Sequence, residues 1–441
     1  MVNTSVMGVM RRRVAPFVAI FATAATSAFG QTPEASVSLT LDQVVQRALQ
    51  HSPQVAQAAG AVQTAGTAER TAIGSFLPNL NLSSGASVAS TSRFDQGLGT
   101  TISGSRDSYS AGLSSSLDIY TGGRRGADLA RSRAQTDAAE AAFVEQRYAV
   151  VRNAKAGYFD VLRAADLIRS SEARLSRALQ VEEAAQRRVD VGSGTRSDGL
   201  RARLEVTNAR QALLLAQNQK RNAMYALGRL AGADGPVDAA EEQPLQPVAL
   251  ALSRDQLLDL VLQQSPAVIS AQASDLAASA AVRAARAQYL PTVSSSGSYN
   301  WASTDSPFND VNGSWSLRLG LSFPIFNRFQ REESVERANV QAQVTRMQLE
   351  DVRRLARANL ARVLGALETT ELQIDLAGQA LEVAEEDLRM QQERYRLGVS
   401  TILDQVTSQE NVVRAEADLI AARYDYQLAR AELESLIGRD L

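Results

Sequence analysis

The sequence predicts an α+β membrane protein, in which a β-barrel shared among several chains is continued by long α-helices in coiled-coil contact, the whole written as two internal repeats. Three observations predict it. An export signal opens the chain, each half holds a pair of strands with one apolar face, and each half holds a proline-free helical run too long for a globule.

Arg11, Arg12 and Arg13 precede an apolar, Ala-rich stretch from Val14 to Phe29, with small residues at Ala28 and Gly30. This composition predicts a secretory signal peptide over residues 1–30, cleaved after Gly30; its apolar run is shorter than the ~20 residues of a spanning helix. No later stretch is as long and apolar, so insertion in a membrane has to use β-strands. The chain has no cysteine, which removes disulfides, thiol chemistry and lipid attachment through an N-terminal Cys. Net charge is −2, and loss of the three signal arginines leaves −5, a balance that excludes nucleic acid as an expected partner.

The mature sequence repeats itself. Leu39-Thr40-Leu41-Asp42-Gln43 recurs as Leu252-Ser253-Arg254-Asp255-Gln256, Ser52-Pro53 as Ser265-Pro266, and Phe76-Leu77-Pro78 as Tyr289-Leu290-Pro291, each pair 213 positions apart. Beyond Tyr109-Ser110 and Trp315-Ser316 the offset is 206, matching Ile119-Tyr120 to Ile325-Phe326, Arg188 to Arg394, Gly192 to Gly398 and Asp198 to Asp404. A period this long marks a duplicated domain rather than a solenoid. The repeats are expected at 31–232 and 252–441, joined by a Pro- and acid-rich linker over 233–251. Ser52-Pro53 and Ser265-Pro266 read as an N-cap followed by Pro in the first turn of a helix.

Strands come next, at about 79–120 and 292–326. Leu80, Leu82, Ala86 and Val88 alternate with Asn81, Ser83 and Ser87, and Tyr109, Ala111, Leu113, Leu117 and Ile119 alternate with serines. Val293, Tyr299 and Trp301, then Trp315, Leu317, Leu319, Leu321 and Phe323, repeat the pattern with Ser316, Arg318 and Ser322 interleaved. Runs of about ten residues with one apolar and one wet face suit tilted strands of an outer membrane, and residues 93–106 and 303–313 are expected as loops outside the cell. Tyr109, Tyr299, Trp301 and Trp315 would form an aromatic girdle at the far end, Tyr120 and Phe326 one at the near end. Four strands cannot close a barrel, and an open edge in lipid leaves costly unpaired backbone groups. Two chains would give eight strands and a lumen filled by side chains; three give a 12-stranded barrel, four strands per protomer, with a passage. A homotrimer surrounded by outer-membrane lipid is expected.

No proline interrupts Pro78 to Pro236 or follows Pro324, and helices are expected over 126–189 and 329–395, returning over 197–229 and 402–436. Ile374, Leu381, Leu388 and Tyr395, with Ala377 and Ala384, form one heptad seam; Leu376, Val383, Met390 and Leu397 form a second. Two seams mean neighbours on both sides, as in the wall of a cylinder, whereas a soluble bundle would show one broad stripe. The helical hairpins turn at Val191-Gly192-Ser193-Gly194 and Leu397-Gly398-Val399-Ser400.

Chemistry is missing. The one histidine, His51, has no Cys or acid cluster to make a metal site and is expected on the surface; there is no phosphate-cradling Gly loop and no nucleophile elbow. No catalytic residue, metal or cofactor is expected, and the chain is not expected to be an enzyme.

At the second turn the sequence resembles the TolC family of outer-membrane efflux and secretion channels. Tyr395, Gly398, Thr401 and Asp404 stand at the family's Tyr-x-x-Gly-x-x-Thr-x-x-Asp spacing within Arg394-Tyr395-Arg396-Leu397-Gly398-Val399-Ser400-Thr401-Ile402-Leu403-Asp404, the likeness continues through Ala421-Ala422-Arg423-Tyr424, and Arg188 to Asp198 is the first-half counterpart. The resemblance implies a trimeric barrel joined to a helical tunnel, serving a tripartite efflux pump or type I secretion system as a passive duct. Its partners would be a periplasmic adaptor, or membrane fusion protein, and an inner-membrane transporter. It implies that Val191, Gly192, Ser193 and Gly194, with Leu397, Gly398, Val399 and Ser400, dock the adaptor. Tyr395 would reach toward Ser197 and Asp198 at a closed periplasmic entrance, and Asp404 would project into the constriction. Ser400 replaces an arginine that locks the gate in some members, so the gate is expected to be held differently, for example by Arg394 or Arg396, and Thr407 replaces a second acid, so any acidic ring is expected to be thinner. Asp404 has two readings, a ring of three acids that favours cations or a cap on its helix; for Asp198 capping is the expected role. The competing function is a periplasmic coiled-coil adaptor or scaffold without a pore, which would carry one hairpin flanked by compact β-domains rather than a duplication.

Overall fold

The computed structural model describes residues 37–95, 97, 99–241, 252–304 and 312–439. The signal peptide with its cleavage site, and residues 242–251 of the linker, lie outside the described residues.

A short strand β1 (Val37–Leu39) leads into helices α1 (Leu41–His51) and α2 (Pro53–Gly74). The repeated Leu-Thr/Ser-x-x-Gln sequence acts here as a helix start: Thr40 and Gln43 exchange both bonds of a capping box, as do Ser253 and Gln256 at the head of α5 (Arg254–Gln264). Leu39 and Val44 are buried together on either side of the first box, a hydrophobic staple that fixes how the chain enters the helix. Ser52 caps α2 through the Val55 amide ahead of Pro53. Ser265 starts α6 (Pro266–Arg286) ahead of its own Pro, yet makes no side-chain cap bond; its residue is buried, so the expected hydroxyl cap is absent there.

Strands β2 (Asn79–Asp95), β3 (Thr100–Tyr120), β5 (Thr292–Thr304) and β6 (Asn312–Ser322) form one antiparallel sheet in the order β2-β3-β5-β6. Two expectations change. The first hairpin runs on through residues 93–95 and 100–106, which were expected as loop. The sequence of that ribbon, rich in Gly, Ser and Thr, holds no sustained alternation to read, while its backbone pairs regardless. A bulge between Asp118 and Tyr120 also shifts phase, so that Tyr120, rather than Ile119, lies opposite Val293. A second correction concerns the linker: β4 (Val237–Ala239) lies inside it and pairs in parallel with β1.

Helices α3 (Arg124–Asp190) and α7 (Gln330–Arg396) are each 67 residues. At 1.5 Å per residue each is about 100 Å long. They return as α4 (Arg196–Leu230) and α8 (Ile402–Ile437). Ala127, Ala134 and Ala141 are buried seven apart on α3, small enough to let neighbouring helices approach closely. Side by side, the helices nearest the turns follow the order α4-α3-α8-α7, and those nearest the strands α2-α3-α6-α7. The sheet and both helical layers therefore share one lateral order, with a first-half element at one edge and a second-half element at the other.

The junctions between sheet and long helix match in plan. Arg125 lies over the Phe76 ring at 5.2 Å and donates to the Ser75 carbonyl at 2.9 Å; Arg331 lies over Tyr289 at 4.9 Å and donates to the Pro324 carbonyl at 2.8 Å. Gly122 and Gly123 take positive φ at the first junction, and Arg328 and Phe329 do so at the second.

Candidate functional site: the sheet faces and the helical tips

Alternation in the four strands produces two unlike faces. The register sets Leu82, Leu113, Tyr299 and Trp315 in one row across the sheet. Leu80, Trp301, Leu317, Leu319 and Leu321 stand on the same side, all exposed to solvent in the single chain. The opposite side is serine and asparagine: Ser298 and Ser316 hydroxyls meet at 3.0 Å, Ser87 and Ser108 at 2.8 Å, and Asn79 Oδ1 accepts from the Ser116 amide and hydroxyl at 2.6 and 2.8 Å. An apolar face left open beside a hydroxyl-lined one suits lipid on one side and water on the other. Tyr299 and Trp301 rings stack 4.5 Å apart, and Tyr109 lies opposite Ser303 close to their level. At the other end Phe326 meets Phe329 edge-on at 5.6 Å.

At the tips, both turns are built by glycine in the left-handed region, Gly192 at φ +74° and Gly398 at φ +82°. The Ser193 and Gly194 amides both donate to the Arg188 carbonyl at 2.9 Å, and the Val399 amide donates to Arg394 at 2.9 Å. Thr195 and Thr401 then cap α4 and α8, each in a capping box whose returning partner is an acid, Asp198 or Asp404. Hydrogen bonds from the Thr195 hydroxyl and amide hold the Asp198 carboxyl below its ordinary pKa, and bonds from the Thr401 amide and hydroxyl do the same for Asp404. Both acids thus occupy the third helical position, three residues beyond the N-cap.

Tyr395 is buried in a cluster with Val181, Ala185, Ala202 and Ile402, which joins the tips of all four helices. Its principal polar neighbour is Arg188, whose guanidinium lies 4.6 Å over the ring and donates to the Tyr395 carbonyl at 2.6 Å. Burial pushes the Tyr395 hydroxyl up, and the nearby Asp198 charge adds to this. Ser197 is exposed on the first turn of α4, and Ser400 donates to the Gln391 carbonyl at 3.4 Å. Arg396 pairs with Glu393 at 2.9 Å, while Arg394 acts on Asp404 through its charge. Arg188 is the tip residue whose role sequence reasoning missed; its place opposite Arg394 in the repeat was the available signal.

Further up, the wall contains ion pairs between helices: Arg174 to Glu205 at 2.8 Å joins α3 to α4, and Arg177 to Glu416 at 3.4 Å joins α3 to α8. No group of acids and histidines able to hold a metal occurs among the described residues, and no described helix is long and apolar enough to cross a membrane.

Comparison with known proteins agrees with this plan. The family described as "Outer membrane efflux protein" matches residues 44–233 and 257–439. The pyoverdine export outer membrane protein OpmQ of Pseudomonas aeruginosa is 26% identical over 407 residues, covering 90% of this chain and 83% of that protein. The outer membrane protein TolC of Vibrio cholerae is 26% identical over 435 residues, covering 94% of each. Among solved structures, CusC superposes with a TM-score of 0.81 at 21% identity, covering 92% of this chain and 93% of that one. The Vibrio cholerae outer membrane protein VceC does so at 0.76 and 21%, covering 91% and 96%. The chain belongs to the outer membrane efflux protein family and is a protein of the outer membrane.

Proposed function

We propose that three copies of this chain form the exit duct of a tripartite efflux pump or type I secretion system, with a 12-stranded barrel in the outer membrane and a helical tunnel in the periplasm. The observation that carries this reading is the pair of open edges. β2 and β6 each have one paired side, and α7 with its C-cap leaves Leu376, Val383, Met390 and Leu397 exposed at 63, 69, 50 and 67%. The other heptad seam behaves differently, for Leu388 and Tyr395 are buried within the protomer. On the opposite edge α4 exposes Leu200, Leu204, Leu214 and Leu215. A head-to-tail interface that joins one edge to the other closes into a ring, pairs the strand edges and covers both rows of leucines.

The duplicated halves supply two hairpin tips per protomer, six in the trimer. Val191 to Gly194 and Leu397 to Ser400 dock the periplasmic adaptor, and Tyr395, Ser197, Asp198 and Asp404 surround the entrance. Arg188 takes the locking role that Ser400 vacates. The test is the mass of the full mature chain in detergent by native mass spectrometry, followed by conductance in a planar bilayer. A trimer that conducts is expected; a monomer or dimer, or a trimer that is silent, overturns the reading.

A further inference from the structure

The polar face of the sheet carries a charge that the fold does not use. Among its described side chains Arg318 is the one cation and Asp118 the one anion. Asp118 lies beside Arg124 at 4.0 Å, at the end of β3 next to the helix. Arg318 is exposed and makes no ion pair with any described residue. Its partner across β5 is Ser296, and Ser116 follows on β3 in the same row.

Its height matters. Arg318 lies three residues from Trp315 and eight from Phe326, about 10 Å along the strand from the far aromatic level, so it stands between the two aromatic levels and closer to the far one. A guanidinium facing lipid between those levels would carry a heavy desolvation cost. The strand alternation turns it instead to the serine side, where water and hydroxyls solvate it. No carboxylate on that face lies at its level to neutralise it.

We infer that Arg318 forms an anion-attracting girdle inside the barrel, which favours chloride and the carboxylate, phosphate or sulfonate groups of solutes passing outward. This rests on the trimeric channel proposed above, which sets three copies of Arg318 at one level around the lumen. The barrel and the periplasmic entrance then differ in sign: three arginines above, three Asp404 carboxylates below. The ring adds positive potential where solutes leave, and its reach grows as salt is lowered, to about 30 Å at 0.01 M.

The experiment measures the chloride-to-potassium permeability ratio of the mature trimer in planar bilayers across a KCl gradient whose dilute side is 10 mM. Arg318→Gln is expected to lower the ratio roughly twofold, with Arg318→Glu lowering it further and Arg318→Lys holding it near the parent value. The differences should shrink in 1 M KCl. A conducting trimer whose ratio is the same in Arg318→Glu as in the parent overturns the girdle and leaves the channel standing. Loss of trimer and conductance in the parent protein overturns the channel and the girdle together. Because Arg318 is exposed and packs against no core, native mass spectrometry of each variant is expected to show unchanged trimer, and a trimer lost only in the variants would assign Arg318 to assembly instead.

Discussion

The two halves follow one plan with different residues, and beyond the longer first hairpin the differences fall at the two ends of the long helices. At the tips, Val191-Gly192-Ser193-Gly194-Thr195 and Leu397-Gly398-Val399-Ser400-Thr401 share a left-handed glycine and a capping box. The arginines that precede them have parted ways: Arg188 crosses to the other hairpin and grips Tyr395, whereas Arg394 stays near Asp404 on its own. At the strand ends, Gly122-Gly123 and Arg328-Phe329 take the same left-handed turn, which costs glycine nothing and costs the larger pair strain. Duplication thus preserved geometry, while side chains were free to specialise.

The sharpest way to break the tip comparison is to remove each arginine in turn. Arg188→Ala deletes the bond to the Tyr395 carbonyl and the contact with its ring, so the two hairpins of a protomer lose this polar link at the tips. Single-channel conductance in planar bilayers is expected to rise severalfold, while Arg394→Ala leaves it close to the parent. Equal effects from the two would mean that Arg188 has no special role.

The ring that Arg188 grips comes next. Tyr395→Ala leaves a cavity among Val181, Ala185, Ala202 and Ile402, and is expected to cost about 3 kcal/mol, seen as a lower melting temperature of the trimer in detergent. Tyr395→Phe keeps the backbone carbonyl and the ring, so conductance and melting should hardly move.

The capping boxes should behave alike in both halves. Thr195→Val and Thr401→Val are each expected to lose about 1 kcal/mol of helix-end stability, read as faster amide exchange in the first turns of α4 and α8. The acids add a pH signature. Both carboxyls sit below their ordinary pKa in the fold, so their contribution is complete above the unfolded value of about 3.9 and is lost as pH falls below it through the folded value. Amide protection at both turns should therefore hold from neutral pH down to about 4 and then decay, and Asp198→Asn or Asp404→Asn should flatten that decay. If protection at the second turn is insensitive to Asp404, its carboxylate serves the entrance rather than the cap.

Much of this was legible before any coordinates. Period-two alternation gave the apolar face of β2, β3, β5 and β6, and an unbroken run of helix formers gave α3 and α7, because those signals are local and repeat over many residues. The outer part of the first hairpin was not legible, since the sequence over 93–106 is rich in Gly, Ser and Thr and holds no sustained period-two alternation. β1 and β4 are three residues each, and their pairing depends on the start of the first repeat meeting the linker that follows it. Likewise the Gly192 and Gly398 turns announce themselves by residue type, whereas the reach of Arg188 to Tyr395 follows from how two distant hairpins pack. The repeat register placed Arg188 beside the right turn; only tertiary contact shows which turn it serves.

The smallest effect belongs to the strand-end comparison, where two opposed terms nearly balance. Arg328 at φ 57° pays a left-handed penalty of about 1–2 kcal/mol. Replacing it with glycine removes that penalty but frees the unfolded chain, a loss of about 0.4–1 kcal/mol. The net for Arg328→Gly is a gain of roughly 0.5–1 kcal/mol. The reverse change in the first half has no such balance. An alanine at Gly122, φ +64°, would bring its Cβ to 2.7 Å from both the Ala287 carbonyl oxygen and Leu290 Cβ, so strain and a clash add. Melting of the two variants should shift in opposite directions, with Arg328→Gly up by a few degrees at most and Gly122→Ala down by more. A fall for Arg328→Gly would show that this arginine holds its turn through contacts worth more than the strain it bears.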